Sequence, residues 1–236
     1  MHKFQPNYEK LTFGSMGGKV ISDTELAVIF RYLNLKLTNS KIILDIGTGT
    51  GRVAREIIKS SESNVIGIDL NKYRLKLAAM KKKCLRNYAD RYDLVVADGH
   101  FLPFKDSIFD SIVCIRSIKY FSDYELGIRE MSRVLKEGGV LVLTLSNVFS
   151  IDFLLLRLRL LAYKILFNFY FMKNIFEHCG FAIVDFLGLH KIHPKIWTVS
   201  NNSHFIAFLK AAELILQKIT PKVLFSREIL VKLIKS

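Results

Sequence analysis

Asp45, Gly47, Gly49 and Gly51 fall within seven residues, in Leu44-Asp45-Ile46-Gly47-Thr48-Gly49-Thr50-Gly51-Arg52. An apolar run, Lys41 to Ile46, enters this stretch and a helical pattern leaves it. Glycines are needed where backbone turns tightly and presses against a ligand. A helix N-terminus there adds free N–H groups and positive potential. The spacing is Gly-x-Gly-x-Gly, whereas a dinucleotide fingerprint reads Gly-x-Gly-x-x-Gly. Asp45 would repel a pyrophosphate but attract an ammonium group; it can equally cap the glycine turn, and both roles are compatible. Asp69 ends a second apolar run in Gly67-Ile68-Asp69-Leu70-Asn71, where a carboxylate can accept hydrogen bonds from a ribose diol. Ala97-Asp98-Gly99 ends a third, where a side chain can accept from an adenine amino group. Taken alone, Asp98-Gly99 is only a turn signal.

These residues need strands to bring them together. Ser22-Asp23-Thr24-Glu25 has the form of a capping box, with Ser22 as N-cap and a helix running to about Leu33. Strands are expected at Lys41–Ile46, Asn64–Ile68, Leu94–Ala97, Ser111–Ile115 and Val140–Leu145. Helices are expected at Gly51–Lys59 and Lys72–Arg86, with a loop at Phe101–Asp110. A second capping box, Ser122-Asp123-Tyr124-Glu125, opens a helix that should reach Lys136 and stop at Gly138-Gly139. Short, nearly all-apolar strands alternating with helices mean a parallel sheet covered on both faces. Beyond Asn147 the rhythm changes. A helical segment spans Ile151 to Cys179, a strand Phe181–Phe186, a helix Phe205–Ile219 and a last strand Glu228–Ile234.

The markers above, followed by Phe109-Asp110-Ser111-Ile112-Val113 and Leu135-Lys136-Glu137-Gly138-Gly139-Val140-Leu141, occur in the order seen in one family. Over roughly Lys41 to Leu145 the chain resembles the class I S-adenosylmethionine-dependent methyltransferases, of the broad group that includes quinone and small-molecule enzymes. The resemblance implies an α/β, Rossmann-like sheet of seven strands in the order 3-2-1-4-5-7-6, the seventh antiparallel, with helices on both faces. It also implies S-adenosyl-L-methionine as cofactor. Gly47, Thr48, Gly49 and Gly51 would cradle its methionine part, and Asp45 would order that loop or hold the amino group. Asp69 would bind the ribose, with Leu70 beside the adenine, and Asp98 and Gly99 would contact the adenine. Arg116 joins the binding set at the end of strand four, where Ile115 to Tyr120 would line the methyl-transfer face. On this reading one domain fills residues 1–236: an N-terminal helical cap over 1–40, the cofactor core over 41–145, and substrate-side helices with the last two strands over 146–236.

A sulfonium methyl is already activated, so the protein must hold the nucleophile in line, exclude water and, for some acceptors, remove a proton. That chemistry requires no metal, and no ligand cluster is visible. Candidate bases are His100, His178, His190, His193, Tyr8 and Tyr120, and none is singled out. Arg116 and Lys119 could bind an anionic substrate or stand as solvated charges. Ile115-Arg116-Ser117-Ile118-Lys119-Tyr120 lacks the Asn/Asp-Pro-Pro-aromatic motif of adenine amino methyltransferases. Cys114 has no neighbouring proline and reads as a small core residue. Gly14-Ser15-Met16-Gly17-Gly18-Lys19 reads as a flexible loop able to close over the cofactor.

The chain of 236 residues is half hydrophobic and carries 35 Lys and Arg against 21 Asp and Glu, a net charge of +14. A core is easily filled, and a negative partner is expected. Cys84, Cys114 and Cys179 suit a reduced, cytoplasmic protein. The polar start, Met1 to Lys10, has no signal-peptide core. Lys72 to Arg91 holds eight basic residues against Asp90 alone, without the interleaved aromatics of an RNA footprint. The apolar stretch Ile151 to Met172 is interrupted by Asp152, Arg157, Arg159 and Lys164, which argues against a spanning helix. Together with Phe205–Ile219 it suits an apolar substrate cover, with peripheral contact to an anionic membrane as second reading. The expected activity is methyl transfer to a small, apolar or lipid-like acceptor. The alternatives are an RNA methyltransferase and a non-catalytic S-adenosylmethionine-binding protein.

Overall fold

The computed structural model of the chain describes residues 8–35, 40–147, 150, 169–222 and 226–236. Two helices come first, α1 (Tyr8–Phe13) and α2 (Met16–Leu33). An alternating run follows: β1 (Ile42–Ile46), α3 (Arg52–Ser60), β2 (Asn64–Asp69), α4 (Lys72–Lys82), β3 (Tyr92–Val96), β4 (Phe109–Cys114), α5 (Tyr124–Val134) and β5 (Leu135–Ser146). The remaining described elements are α6 (Phe169–His178), β6 (Phe181–Leu189), α7 (Pro194–Thr198), α8 (Ser203–Ile219) and β7 (Glu228–Lys235).

The strands form one seven-stranded sheet in the order β3-β2-β1-β4-β5-β7-β6. Pairing is parallel from β3 to β5, and β7 runs antiparallel to both β5 and β6. The expected order and the antiparallel seventh strand are both observed. Alternate residues of each strand feed opposite faces, as a two-residue period requires. Ile43, Val113 and Val142 join α2 and α3 in one core cluster, while Leu44, Ile112 and Leu141 join α5 and α6 in the other. Each such side chain, fully buried, contributes roughly 1.5–3 kcal/mol. A third cluster sets Phe13 and Ile21 from the N-terminal helices against Trp197, Ile206 and Leu209 of α7 and α8.

Several local expectations are corrected. The first long helix begins at Met16, not after Ser22, with Ser15 as N-cap accepting from Gly18 N. Gly14–Lys19 is therefore largely helix rather than a free loop. Gly17 has no room for a side chain, since a Cβ would lie 2.0 Å from the Trp197 carbonyl oxygen. Ser22 and Glu25 are buried inside this helix and look into the tertiary structure instead of back at its start. In the second capping box Asp123, not Ser122, caps the helix by accepting from Leu126 N. That helix ends at Val134, and Leu135 already pairs with Phe109. Gly138 turns at φ 70° inside a bulge between the Leu135 and Val140 pairings, so it serves the strand rather than capping the helix. Helix α4 tightens to a 3-10 turn after Lys82. Most of the expected helical segment from Ile151 lies outside the described residues. Its described end is α6, where Met172 and Phe176 are buried against the sheet.

Candidate active site

The C-terminal ends of β1, β2 and β3 share one rim, because Asp45 pairs with Gly67, and Asp69 pairs with Val96. The turn leaving β1 passes over it with Gly47, Gly49 and Gly51 at φ 69°, 59° and 76°, a left-handed region that favours glycine. At Gly47 a Cβ would sit 1.9 Å from Ser117 Oγ, so the loop after β1 lies directly against the loop after β4. Thr48 N donates to the Ile68 carbonyl at 2.9 Å, and Gly49 N donates to the Asp69 carboxylate at 3.0 Å. The other Asp69 oxygen accepts from Asn71 N at 2.8 Å. The carboxylate that ends β2 thus holds the glycine loop in place.

Asp45 is buried beneath that loop. The Thr48 hydroxyl donates to it at 2.7 Å, so the Tyr92 phenol, 3.1 Å away, must donate to Thr48. Burial pushes the Asp45 carboxyl up to about 6, against the opposing pull of the Thr48 hydrogen bond and the Arg52 charge.

A cavity opens between the glycine loop, α1 and the end of β4. Asp45, Gly47, Thr48, Gly49 and Thr50 line one side, and Ile115, Arg116, Lys119 and Tyr120 line the other. Glu9 and Phe13 bound it from α1, and Arg52 and Arg74 complete the wall. Glu25 lies behind that wall, fully buried, with Arg52 and Arg116 (3.0 Å) on its two oxygens. Burial opposes its charge, but the Arg116 and Arg52 guanidinium groups win and hold its carboxyl at about 2. Arg116 also meets Glu228 at 3.1 Å, and Arg52 and Arg116 both approach the Phe13 ring, at 4.4 and 5.3 Å from its centre. Arg116 adopts φ 58°, and its backbone N donates to Thr144 Oγ1 at 2.5 Å. Glu9 accepts from Thr50, Arg55 and Lys81, tying α1 to the glycine loop, α3 and α4.

Of the residues singled out by spacing, Asp45, Gly47, Thr48, Gly49 and Arg116 line the cavity together. Gly51 stands behind it as the residue before α3. Asp69 acts on the loop rather than on the cavity wall, while Leu70, Asp98 and Gly99 lie further along the rim. Asp98 accepts from His100 N at 2.9 Å and from the ring Nδ1 at 2.6 Å. His100 Nε2 accepts from Asp123 N at 3.3 Å, so the proton sits on Nδ1.

The other candidate bases are dispersed. His193 caps α7 by accepting from Lys195 N, His190 is buried after β6, and His178 Nδ1 meets the Asn174 carbonyl. Tyr120 stands exposed at the cavity, and the Tyr8 side chain lies outside the described residues. Cys114 is buried, and burial pushes its thiol up to about 12, which suits a core residue. Among the described residues no three His, Cys, Asp or Glu converge as a metal site would require. Spacing missed Glu9, Phe13 and Glu25. Only Glu25 left a trace, as a charge inside the apolar helical stripe of Leu26, Ile29 and Leu33.

Residues 44–143 match the family model described as a methyltransferase domain. A ubiquinone/menaquinone biosynthesis C-methyltransferase from Geotalea daltonii is 36% identical over 147 residues, 61% of this chain and 58% of that protein. A sterol 24-C-methyltransferase from Aspergillus fumigatus is 36% identical over 42% of this chain and 26% of its own length. The chain therefore spans little more than half the length of the first and about a quarter of the second. In fold it is similar to geranyl diphosphate C-methyltransferase from Streptomyces coelicolor, with a TM-score of 0.68, 14% identity and coverage of 98% of this chain and 86% of that one. In its matched core and its sheet order, the chain is similar to the class I S-adenosylmethionine-dependent methyltransferases.

Proposed function

We propose that the protein binds S-adenosyl-L-methionine along the rim of β1, β2 and β3 and transfers its methyl group to a small, largely apolar acceptor. Gly47, Thr48, Gly49 and Gly51 would admit the methionine part, since the three glycines, at positive φ, present bare backbone and the Thr48 hydroxyl is turned onto Asp45. Asp45 would hold the amino group and Arg116 would face the carboxylate. Asp69 would take the ribose hydroxyls with Leu70 against the adenine, and Asp98 and Gly99 would read its edge. The hydrogen bond from Gly49 N to Asp69 carries this reading, because it sets a ribose acceptor directly beside a loop shaped for the amino-acid part. We further assign residues 1–40 as a cap over the core at 41–145, with 146–236 on the acceptor side.

When bound, the cofactor supplies a methyl already activated on a sulfonium. The chain need only present an acceptor in line and keep water out. Ile115, Tyr120 and Phe13, which line the cavity, would enclose that position. An apolar acceptor is supported by these side chains and by the names of the quinone and sterol C-methyltransferases to which the core is similar.

Calorimetric titration with S-adenosylmethionine tests the cofactor half, with loss of affinity by tenfold or more expected for Asp69→Ala. Incubation with methyl-labelled cofactor and lipid extract tests the acceptor half. Label in the organic phase is expected; label confined to water-soluble products refutes an apolar acceptor.

A further inference from the structure

Helix α8 is an insertion between β6 and β7 with two unlike faces. Ile206, Leu209 and Glu213 are buried, the first two in the cluster with Phe13 and Trp197. The Glu213 carboxylate is satisfied there, accepting from Lys191 N at 2.7 Å and Ile192 N at 2.9 Å. The opposite face is apolar and open to solvent. Phe208, Ile215 and Ile219 recur at helical spacing with relative exposures of 64%, 59% and 71%, and Leu214 flanks them at 60%. Val199, just before the helix, is 79% exposed. Scattered exposed apolar residues need no explanation, but a stripe of large ones along one helix does.

The exposed charges on this unit all have one sign. From Pro194 to Thr220 the only acidic residue is the buried Glu213, while Lys195, Lys210 and Lys218 are exposed. An apolar ridge flanked solely by cations suits the boundary of a bilayer with negative headgroups, where the ridge enters the acyl region and the lysines meet phosphate. A second protein copy would bring the same cations against each other. No described helix is long and apolar enough to cross a membrane, so the contact is one of lying on the surface. The ridge is coupled to the cavity through Phe13, which packs with Ile206 and Leu209 and also meets Arg52 and Arg116.

We propose that the outer face of α8, with Val199 and its flanking lysines, docks the protein on anionic lipid bilayers. The purpose rests on the apolar-acceptor reading, since such acceptors partition into bilayers; the geometry does not. The test is co-sedimentation of the whole chain with vesicles of phosphatidylcholine alone and of phosphatidylcholine mixed with phosphatidylglycerol. Binding to the mixed vesicles is expected, falling with added salt. The double variant Phe208→Asp with Ile215→Asp, and separately Lys210→Glu with Lys218→Glu, should each lose about tenfold or more in partitioning. Both should keep the wild-type affinity for S-adenosylmethionine and the wild-type thermal midpoint, because neither pair touches the cavity or the core. Wild-type protein that stays in solution with both vesicle types overturns the proposal, as does binding that the variants leave intact. So does a concentration-dependent dimer that Phe208→Asp with Ile215→Asp dissociates while vesicles leave the wild type unbound. Loss of cofactor binding in the wild type would instead strike the methyltransferase reading alone.

Discussion

Arg116, two residues past the end of β4 at Cys114, reaches back 3.0 Å to Glu25 in the middle of helix α2. Ninety-one positions separate them in sequence. The pair, extended by Arg52 on the second oxygen of Glu25 and by Glu228 on Arg116, ties the N-terminal helices to the floor of the cavity.

Removing that carboxylate should be costly. Glu25→Gln leaves two guanidinium groups facing a buried neutral amide, and breaking a buried pair costs about 3–5 kcal/mol. A lower thermal midpoint is expected, with α1 and α2 becoming the first segment open to proteolysis. The effect depends on pH. The folded carboxyl sits near 2, below the ordinary 4.5, so its stabilisation is complete above about 4.5 and vanishes as pH falls toward 2. The gap between wild type and variant in thermal scans should close over that window.

Asp45 should behave with the opposite sign. Burial raises its carboxyl to about 6, so in the unliganded protein ionisation opposes folding, and protonation below pH 6 relieves that opposition. Cofactor binding needs the ionised form if Asp45 holds an ammonium group. Affinity for S-adenosylmethionine measured by calorimetry should therefore fall by about tenfold per unit as pH drops below 6. Asp45→Asn should bind weakly and flatten that profile. An unchanged profile would leave Asp45 as a turn cap only.

Gly47→Ala should separate loop shape from fold. The added Cβ meets Ser117 Oγ at 1.9 Å in a residue held at φ 69°. Backbone strain of this kind is about 1–3 kcal/mol, less than the stability of an ordinary domain. Circular dichroism should report a folded protein with a lowered midpoint, while cofactor titration should show affinity reduced far more than stability. Pairing the change with Ser117→Gly removes the nearest atoms and should restore part of the affinity.

His100 gives a milder prediction. Its Nδ1 proton fixes one oxygen of Asp98 at 2.6 Å, and in the proposed binding mode the other oxygen would accept from the adenine amino group. His100→Ala should weaken S-adenosylmethionine binding several-fold without abolishing it. The same variant should discriminate less against a cofactor analogue whose adenine amino group is replaced by oxygen, read as the ratio of the two dissociation constants.

Much of the rim at the C-terminal ends of β1, β2 and β3 was legible in the order of residues because each of its parts is local. A strand, a turn that demands positive φ and a following helix are written within about ten residues, as at Leu44 to Arg52, and the sheet order follows from repeating that unit with right-handed crossovers. Asp45, Gly47, Asp69 and Asp98 belong to such units, so their shared rim could be anticipated. The supporting shell could not. Ser22 and Glu25 match a capping box in sequence, yet Gly17 and Gly18 let the helix start earlier and press against Trp197 and Thr12, which turns Glu25 into a buried partner for two arginines. Gly138 resembles a helix stop, but sheet pairing of Leu135 with Phe109 claims the chain first. The outer face of α8 had a helical pattern from the start, and only the packed structure decided which of its faces met the core and which met solvent. Local propensity fixes which elements form, while the partners of a buried charge or an apolar face are chosen by distant segments whose approach no short stretch of sequence encodes.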